Sequence, residues 1–261
     1  MPRRFTAGVI LVVSSIFVVL GLGGGILFVP ILHWMGYDLQ TVAIPLGLLL
    51  NGLNTMLALI PYGRAGLVDW KGGWPMALAA AATAPIGALV QPLLPSGTVL
   101  ALFAGAVTVA ALRALWGARS RPWSSAMGRE PSKSGPLLRN GFRVGIGAVV
   151  GFVGGLLGIG AGFVVAPAFL SLGYPPKQTA ATTALVVTVC SFAGVAGYAP
   201  RLDFPVAVAV LSALAVVIGS QVGARLMLSD AKPSWITRGY VVILVGVAIK
   251  LVWEASNSVF S

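Results

Sequence analysis

Long apolar stretches separated by short polar ones occupy most of this chain. Because the hydrocarbon core of a bilayer is about 30 Å thick, a helix that crosses it needs about 20 predominantly apolar residues. By this measure the sequence predicts eight membrane segments, at residues 6–35, 40–61, 72–94, 97–116, 142–172, 177–198, 204–228 and 235–254. The pattern therefore predicts an all-α integral membrane protein.

Two of the predicted segments, 6–35 and 142–172, are too long for a simple crossing, and each has a glycine cluster at its middle. We expect these helices, the first and the fifth, to be glycine-broken or re-entrant. Between the two sets of four segments lies a long polar stretch rich in Ser, Pro, Gly and Arg. We interpret residues 1–116 as a first membrane repeat, 117–141 as a basic cytoplasmic linker and 142–261 as a second membrane repeat.

The two glycine clusters belong to a longer motif that occurs in each half. Residues 21–37 read GLGGGILFVPILHWMGY, and residues 158–174 read GIGAGFVVAPAFLSLGY. Both fit the pattern G-x-G-x-G-x4-P-x5-G-Y, and the two copies lie 137 residues apart. The chain is therefore predicted to be a tandem repeat of two homologous four-segment units.

The charges leave the relative orientation of the two units open. Basic loops favour the cytoplasmic side of a membrane. If all eight segments cross, the units are parallel and the amino terminus is cytoplasmic. If the first and fifth segments dip in and return, the units are inverted and the amino terminus lies outside. The cytoplasmic side holds 13 of the 17 Lys and Arg residues in both arrangements.

Composition agrees with a membrane environment, because 57% of the residues are hydrophobic and only 9% are charged. Soluble domains have about 25% charged residues. The net charge of +11 raises the alternative of a nucleic-acid-binding protein. However, seven Lys and Arg residues lie between Arg113 and Arg143, in the connection between apolar stretches. This placement indicates membrane orientation, and we expect the lipid bilayer rather than nucleic acid as a partner.

The sequence offers little material for catalysis or metal binding. Cys190 is the single cysteine and lies in an apolar run, where a packed small side chain is expected. His33 is the single histidine and follows the first glycine cluster near a segment end. We find no nucleophile motif, no zinc motif and no phosphate-binding loop. The sequence therefore favours a protein that is not an enzyme, with no cofactor.

The glycine clusters themselves have three interpretations. A dinucleotide-binding loop needs G-x-G-x-x-G between a strand and a helix, and neither cluster fits. Helix packing is the second, since Gly151/Gly155 and Gly219/Gly223 are among several G-x-x-x-G pairs. In the third, a broken helix directs free N–H groups from its amino end towards an anion near the membrane midplane. The last two alternatives remain open.

Polar residues inside the apolar segments are the other candidates for a site. Asn51 and Asn54 are three residues apart and share a helix face, and the repeat offset pairs them with Thr188 and Ser191. Such a stripe can line a pathway or form hydrogen bonds between helices. The candidate substrate-binding residues are Gly23, Gly24, Gly25, Gly160, Ala161, Gly162, Asn51, Asn54, Thr182, Thr183, Thr188, Ser191, Gln91 and Gln221.

The duplicated glycine motif, the run K-Q-T-A-A-T-T at Lys177–Thr183 and the run G-x-x-x-G-A-R-L at Gly219–Leu226 resemble the TauE/SafE sulfite exporter family. The resemblance covers nearly the whole chain. It implies a multi-pass permease of the bacterial inner membrane for small anions, typically sulfite or organosulfonates. One departure is that Ile44-Pro45-Leu46 stands in the first half where the second half has Ala181-Thr182-Thr183. If the threonines bind substrate, the two halves contribute unequally.

Two classes of function compete at this point. We expect a secondary transporter of a small anion, with the substrate bound between the repeats near the broken helices. The alternative is a non-transporting membrane subunit or scaffold, whose repeats serve only for packing. A polar cavity shared by the two halves favours transport, and a dry interior favours the scaffold. The sequence leaves the oligomeric state open, with a homodimer among the alternatives.

Overall fold

The computed structural model describes residues 3–19, 23–120, 136–160, 162–202, 205–228 and 245–254, and these form helices and short connections with no strand. The helices are α1 (Arg3–Val19), α2 (Gly25–Trp34), α3 (Ile44–Arg64), α4 (Trp70–Val90), α5 (Ser96–Ser120), α6 (Pro136–Leu157), α7 (Gly162–Ser171), α8 (Pro176–Tyr198), α9 (Val206–Leu228) and α10 (245–254). A π-helical turn, Leu39–Ala43, leads into α3, and 3-10 turns follow α4 and α8.

Five stretches among the described residues are long and apolar enough to cross a membrane: Leu39–Arg64, Trp70–Leu93, Asn140–Leu157, Pro176–Arg201 and Val206–Leu228. Two shorter apolar helices, Gly25–Trp34 and Ser96–Leu112, accompany them. Large apolar side chains such as Leu78, Leu214 and Ile218 lie exposed on the outer faces of α4 and α9, as expected for helices that contact lipid. The protein is therefore a multi-pass helical membrane protein.

The first and fifth predicted segments are each split into two helices at their glycine cluster. α1 ends at Val19 and α2 begins at Gly25, while α6 ends at Leu157 and α7 begins at Gly162. Gly23, Gly158 and Gly160 have φ angles of 70°, 72° and 65°. Residues with a side chain rarely adopt this left-handed conformation, so glycine is what permits both breaks.

Each short helix after a break ends in the same way. Gly36 and Gly173, which correspond in the two motifs, have φ angles of 89° and 87°. The next residue in each half, Tyr37 or Tyr174, donates its backbone N–H to the helix carbonyl five residues before it, at 3.2 Å and 3.1 Å. This is the glycine-terminated helix end known as a Schellman motif. The Gly-Tyr pair of the sequence motif thus ends α2 and α7.

Helices occupy both ends of the stretch that the sequence predicts as a linker, residues 117–141. α5 continues to Ser120 and α6 begins at Pro136, so both ends of that stretch are helical. An apolar stretch marks the part of a helix that crosses the membrane, whereas the helix itself can continue into polar residues beyond it. The rest of the linker, the start of the predicted segment 235–254 and Asp203 lie outside the described residues.

The chain reverses its direction at the second break. Arg143, near the start of α6, donates from Nη2 to the hydroxyl of Tyr174, which follows α7, at 2.7 Å. A continuous helix would separate residues that are 31 positions apart by about 46 Å. α6 and α7 therefore form a re-entrant hairpin whose outer ends lie at one end of the bundle, which we call the linker end.

Helices of different halves form the closest contacts. Gly147, Gly151 and Gly155 of α6 face the backbone of α4, at Met76, Ala80 and Ala84 in turn. Because both series of numbers rise together, α4 and α6 are parallel. Gly219 and Gly223 of α9 face Leu11 and Ser15 of α1 in the same parallel sense. These glycines are helix contacts, as the packing interpretation predicts.

Candidate functional site

The first glycine break is held by the side chain of Asn51, which lies at the middle of α3 and is 0% exposed. Its Oδ1 accepts hydrogen bonds from the backbone N–H groups of Gly24 and Gly25, at 2.7 Å and 2.8 Å. The first N–H groups of a helix have no partner within the helix and carry partial positive charge. An amide oxygen of the protein thus occupies the position at which the sequence predicts an anion.

The second glycine break meets the same asparagine. Asn51 donates from Nδ2 to Oγ of Ser191 on α8, at 3.0 Å. A Cβ placed on Gly160 would overlap Asn51 Nδ2 and lie 2.8 Å from Ser191 Oγ. A Cβ placed on Gly25 would lie 2.6 Å from the carbonyl oxygen of Ile159. The two breaks and the central helices α3 and α8 therefore converge on one buried polar point.

The carbonyl ends of the broken helices also have side-chain partners. Tyr62 of α3 donates its hydroxyl to the carbonyl oxygen of Val18, and Tyr198 of α8 donates to that of Gly155, both at 2.8 Å. These acceptors lie in the last turns of α1 and α6, where backbone carbonyls have no helical partner. Because a bilayer offers no water to such groups, the two tyrosines stabilise the breaks.

A second polar contact joins α3 and α8 one turn further along. Thr188 Oγ1 lies 2.9 Å from Oγ1 of Thr55 and 2.7 Å from the carbonyl oxygen of Ala184, and its single proton can be donated to either of them. Asn51, Thr188 and Ser191 therefore form hydrogen bonds between or within helices, as the alternative reading of the polar stripe predicts.

Asn54 differs from Asn51 although both lie on α3 and are 0% exposed. Neither its Oδ1 nor its Nδ2 has a hydrogen-bond partner among the described residues, and the same holds for Oγ1 of Thr183 on α8. A buried amide without partners costs several kcal/mol in an apolar medium, about 4–8 by transfer to a hydrocarbon. Such a group needs a reason for its presence, and binding a polar solute is one.

The remaining predicted site residues lie away from this point or outside the described part. Thr182 accepts a hydrogen bond from the N–H of Asp69 at 3.1 Å, at the start of α4. Gln221 donates to the carbonyl oxygen of Leu57 at 3.3 Å, and Gln91 is buried in the turn after α4. Gly162 begins α7, and Ala161 lies outside the described residues. The converging group is therefore Gly23, Gly24, Gly25, Gly160, Asn51 and Ser191, with Thr188 beside it.

A polar cluster at the linker end was not found from the sequence. Tyr174 receives the hydrogen bond from Arg143 and donates one to Oδ2 of Asp69. Asp69 also caps α4, because its Oδ1 accepts from the N–H of Gly72 at 2.9 Å. The repeated Gly-Tyr pair marks Tyr174, but Arg143 is one of many basic residues near the linker and has no distinguishing sequence signal. Across the described residues, no group of three His, Cys, Asp or Glu side chains could hold a metal ion.

Comparison with protein families identifies a family model that matches most of the chain. The family described as sulfite exporter TauE/SafE matches residues 6–251. No solved structure is similar to the chain.

Several curated proteins are similar to the chain, including three from different organisms. The probable membrane transporter protein YunE of Bacillus subtilis is 30% identical over 203 residues, which cover 70% of this chain and 73% of that protein. A probable membrane transporter protein of Methanocaldococcus jannaschii is 24% identical over 87% of this chain and 86% of its own length. A sulfite exporter TauE/SafE family protein of Arabidopsis thaliana is 37% identical over 94 residues, which cover 34% of this chain and 20% of that protein.

Proposed function

The chain belongs to the sulfite exporter TauE/SafE family of membrane transporters, and from this premise we propose that it carries a small anion, such as sulfite or an organosulfonate. The anion binds between the two halves, at the point where the broken helices meet. The protein works as a secondary transporter of a bacterial inner membrane.

The observation that carries this proposal is the pair of hydrogen bonds from Gly24 and Gly25 to Asn51 Oδ1. Two N–H groups at the amino end of a helix already hold an oxygen atom there, deep in the bundle. An anionic oxygen is a stronger acceptor than an amide oxygen for the same donors. We infer that the substrate takes these two donors from Asn51 when it binds. Because one oxygen replaces another, no N–H is left unpaired in the exchange.

Asn54 supplies the second part of the proposed site. It lies three residues after Asn51, on the same side of α3, and its Nδ2 has two donors without a partner among the described residues. A transported anion needs donors that are available when it arrives and that hold it weakly enough for release. Asn54 meets that requirement, whereas Asn51 is engaged with both breaks.

The two halves are proposed to be inverted repeats, with the linker end on the cytoplasmic side. The corresponding φ angles, helix ends and tyrosine hydrogen bonds support a twofold relation between the halves. The re-entrant α6 and α7 support inversion, because each half then has an odd number of full crossings. Repeats of this kind with broken helices at the midplane occur in many secondary transporters.

The substitution Asn54→Leu tests the proposal, since leucine has a similar volume and no polar atoms. Sulfite efflux from proteoliposomes should fall at least about tenfold, as expected for the loss of a hydrogen bond to a charged ligand. The apparent melting temperature should stay the same or rise, because the substitution removes an unpartnered buried amide. Ser212→Ala is the matched control, since Ser212 Oγ on α9 is likewise buried and without a partner among the described residues.

Undiminished efflux in the Asn54→Leu protein would contradict the proposed site. The scaffold alternative has one observation in its favour: Asn51 and Ser191 are fully buried and bonded within the protein. Absence of flux for sulfite, sulfonates and sulfate in the unmodified protein would favour that alternative.

A further inference from the structure

A cavity of about 460 Å³ lies at the linker end, away from the point where the breaks meet. Its polar lining consists of Asp69, Lys71, Asn140, Arg143, Tyr174 and Gln178. These residues come from the starts of α4, α6 and α8 and from the connection after α7. The volume is in the range of small-molecule sites, about 300–1,000 Å³.

Arg143 is the unusual member of this lining, because it is a charged side chain that is only 5% exposed. Nη1 donates to Asn140 Oδ1 at 3.3 Å and Nη2 to the hydroxyl of Tyr174 at 2.7 Å. The guanidinium carbon also lies 5.9 Å from the centre of the Tyr174 ring. Nε has no partner among the described residues. A guanidinium has five N–H donors, and these contacts engage two of them, so donors remain for a ligand.

The charge balance of the cavity favours an anion. Lys71 and Arg143 are cationic, and Asp69 is the single acid among the lining residues. The Asp69 carboxylate already accepts hydrogen bonds from Tyr174 and from the N–H of Gly72. These contacts and the amino end of α4 stabilise the charge of Asp69, and the two cations outnumber this single acid.

The corresponding positions of the first half carry different residues. At the repeat offset of 137, Thr6 stands where Arg143 stands, and Tyr37, Asp38 and Thr41 correspond to Tyr174, Pro175 and Gln178. Asp38 accepts hydrogen bonds from the N–H and the hydroxyl of Thr41, both at 2.8 Å. The backbone N–H of Thr41 lowers the pKa of Asp38 from its ordinary value. The Asp38 carboxylate thus caps the turn that follows it. At this position of the repeat, an arginine occurs in the second half alone.

We propose that the cavity at the linker end binds a small organic oxyanion, a carboxylate or a sulfonate, through Arg143 and Lys71. A guanidinium matches two oxygens of such a group with two parallel N–H donors. Lys71 is exposed at the rim and attracts the anion from solution. That this anion is also the transported one rests on the proposed function, whereas the binding does not.

Calorimetric titration of the full-length protein in phosphatidylcholine nanodiscs tests the proposal, with methanesulfonate and acetate as the probes. All variants are made in the Asn54→Leu background, which removes the proposed midplane donor. Arg143→Gln should weaken binding at least about tenfold, the usual effect of losing a charge-assisted hydrogen bond. Lys71→Glu should weaken binding by a similar factor. Because Lys71 is exposed, this substitution leaves the buried Arg143 in place and should not disturb folding. Arg64→Gln is the control, because Arg64 is an exposed cation at the same end that does not line the cavity.

Saturable binding that is lost in the first two variants and kept in Arg64→Gln supports the proposal. It is overturned if neither probe binds, if Lys71→Glu has no effect, or if Arg64→Gln weakens binding as much as Arg143→Gln. The result is separable from the proposed function, since sulfite efflux is measured independently in proteoliposomes. Binding at the cavity without any efflux would leave this site standing and remove the transport assignment.

Discussion

The two glycine breaks have nearly the same backbone and different side-chain chemistry. Gly23 and Gly160 correspond in the motif and have φ angles of 70° and 65°. The first break is capped by Asn51, but the residue that corresponds to Asn51 in the second half is Thr188, which bonds to Thr55 and Ala184 instead. The two breaks therefore share a backbone shape, while the asparagine cap is present at the first break and not at the corresponding position of the second.

Space explains why a single asparagine serves both breaks. Asn51 lies where the two breaks approach each other, and its Nδ2 fills the room that a Cβ on Gly160 would need. One side chain thus lies against both copies of the glycine motif.

The largest expected effect comes from adding a methyl group at either break. Gly23→Ala and Gly160→Ala both place a Cβ against Asn51 and force a residue with a side chain into a left-handed conformation. Each should destabilise the protein by about 2–5 kcal/mol, from about 1–2 for the backbone and about 1–3 for the overlap. Melting temperatures in detergent measure this. Gly105→Ala on α5, where a Cβ meets nothing within 4 Å, should be neutral or stabilising. Clearly different losses of melting temperature in Gly23→Ala and Gly160→Ala would contradict the equivalence of the two breaks.

Substitution of Asn51 should destabilise the protein more than substitution of Thr188, the corresponding residue of the second half. Asn51→Leu leaves the N–H groups of Gly24 and Gly25 and the hydroxyl of Ser191 without their partner, and should destabilise the protein by about 1–3 kcal/mol. Thr188→Val removes one contact between hydroxyls and should cost about 0.6 kcal/mol, the average for hydrogen bonds between membrane helices. Equal melting temperatures for Asn51→Leu and Thr188→Val would contradict the different roles of these two residues.

Removing either tyrosine hydroxyl should have an effect as small as that of Thr188→Val. Tyr62→Phe and Tyr198→Phe each remove one hydrogen bond to a carbonyl at the end of a broken helix, and each should cost about 0.6 kcal/mol, at most about 1.7. Tyr198 follows Tyr62 by 136 residues and Gly155 follows Val18 by 137, so the two bonds correspond in the repeat. Equal losses of melting temperature in Tyr62→Phe and Tyr198→Phe would show that the carbonyl ends of the two breaks are also equivalent.

The sequence predicted the parts of this fold that depend on local composition. Spans follow from apolar length, and the breaks follow from glycine clusters at φ angles that other residues avoid. Asn51, Ser191 and the glycines are candidate site residues from the sequence, but the sequence does not indicate that the Ser191 hydroxyl contacts Asn51. The register between the antiparallel helices α3 and α8 depends on long-range packing, which a sequence pattern does not record.

The cluster at the linker end could not be predicted for a related reason. Arg143 is one of seven basic residues between Arg113 and Arg143, all of which agree equally well with a basic loop. Only the return of α7 to the start of α6 brings Tyr174 to this arginine and separates it from the others. The sequence does not record that the residue after α7 lies close to the start of α6, and this proximity is what defines the cluster.

The cross-half contacts of α1 and α4 constrain how the protein can be made. α1 meets its glycine partner on α9 at Gly219 and Gly223, about two hundred residues after α1 leaves the ribosome. Until then the face of α1 that carries Leu11 and Ser15 has no partner of its own chain to close against. Packing of this face of α1 is thus completed only after α9 has been synthesised, and a chain that stops before α9 leaves this face without its helix partner.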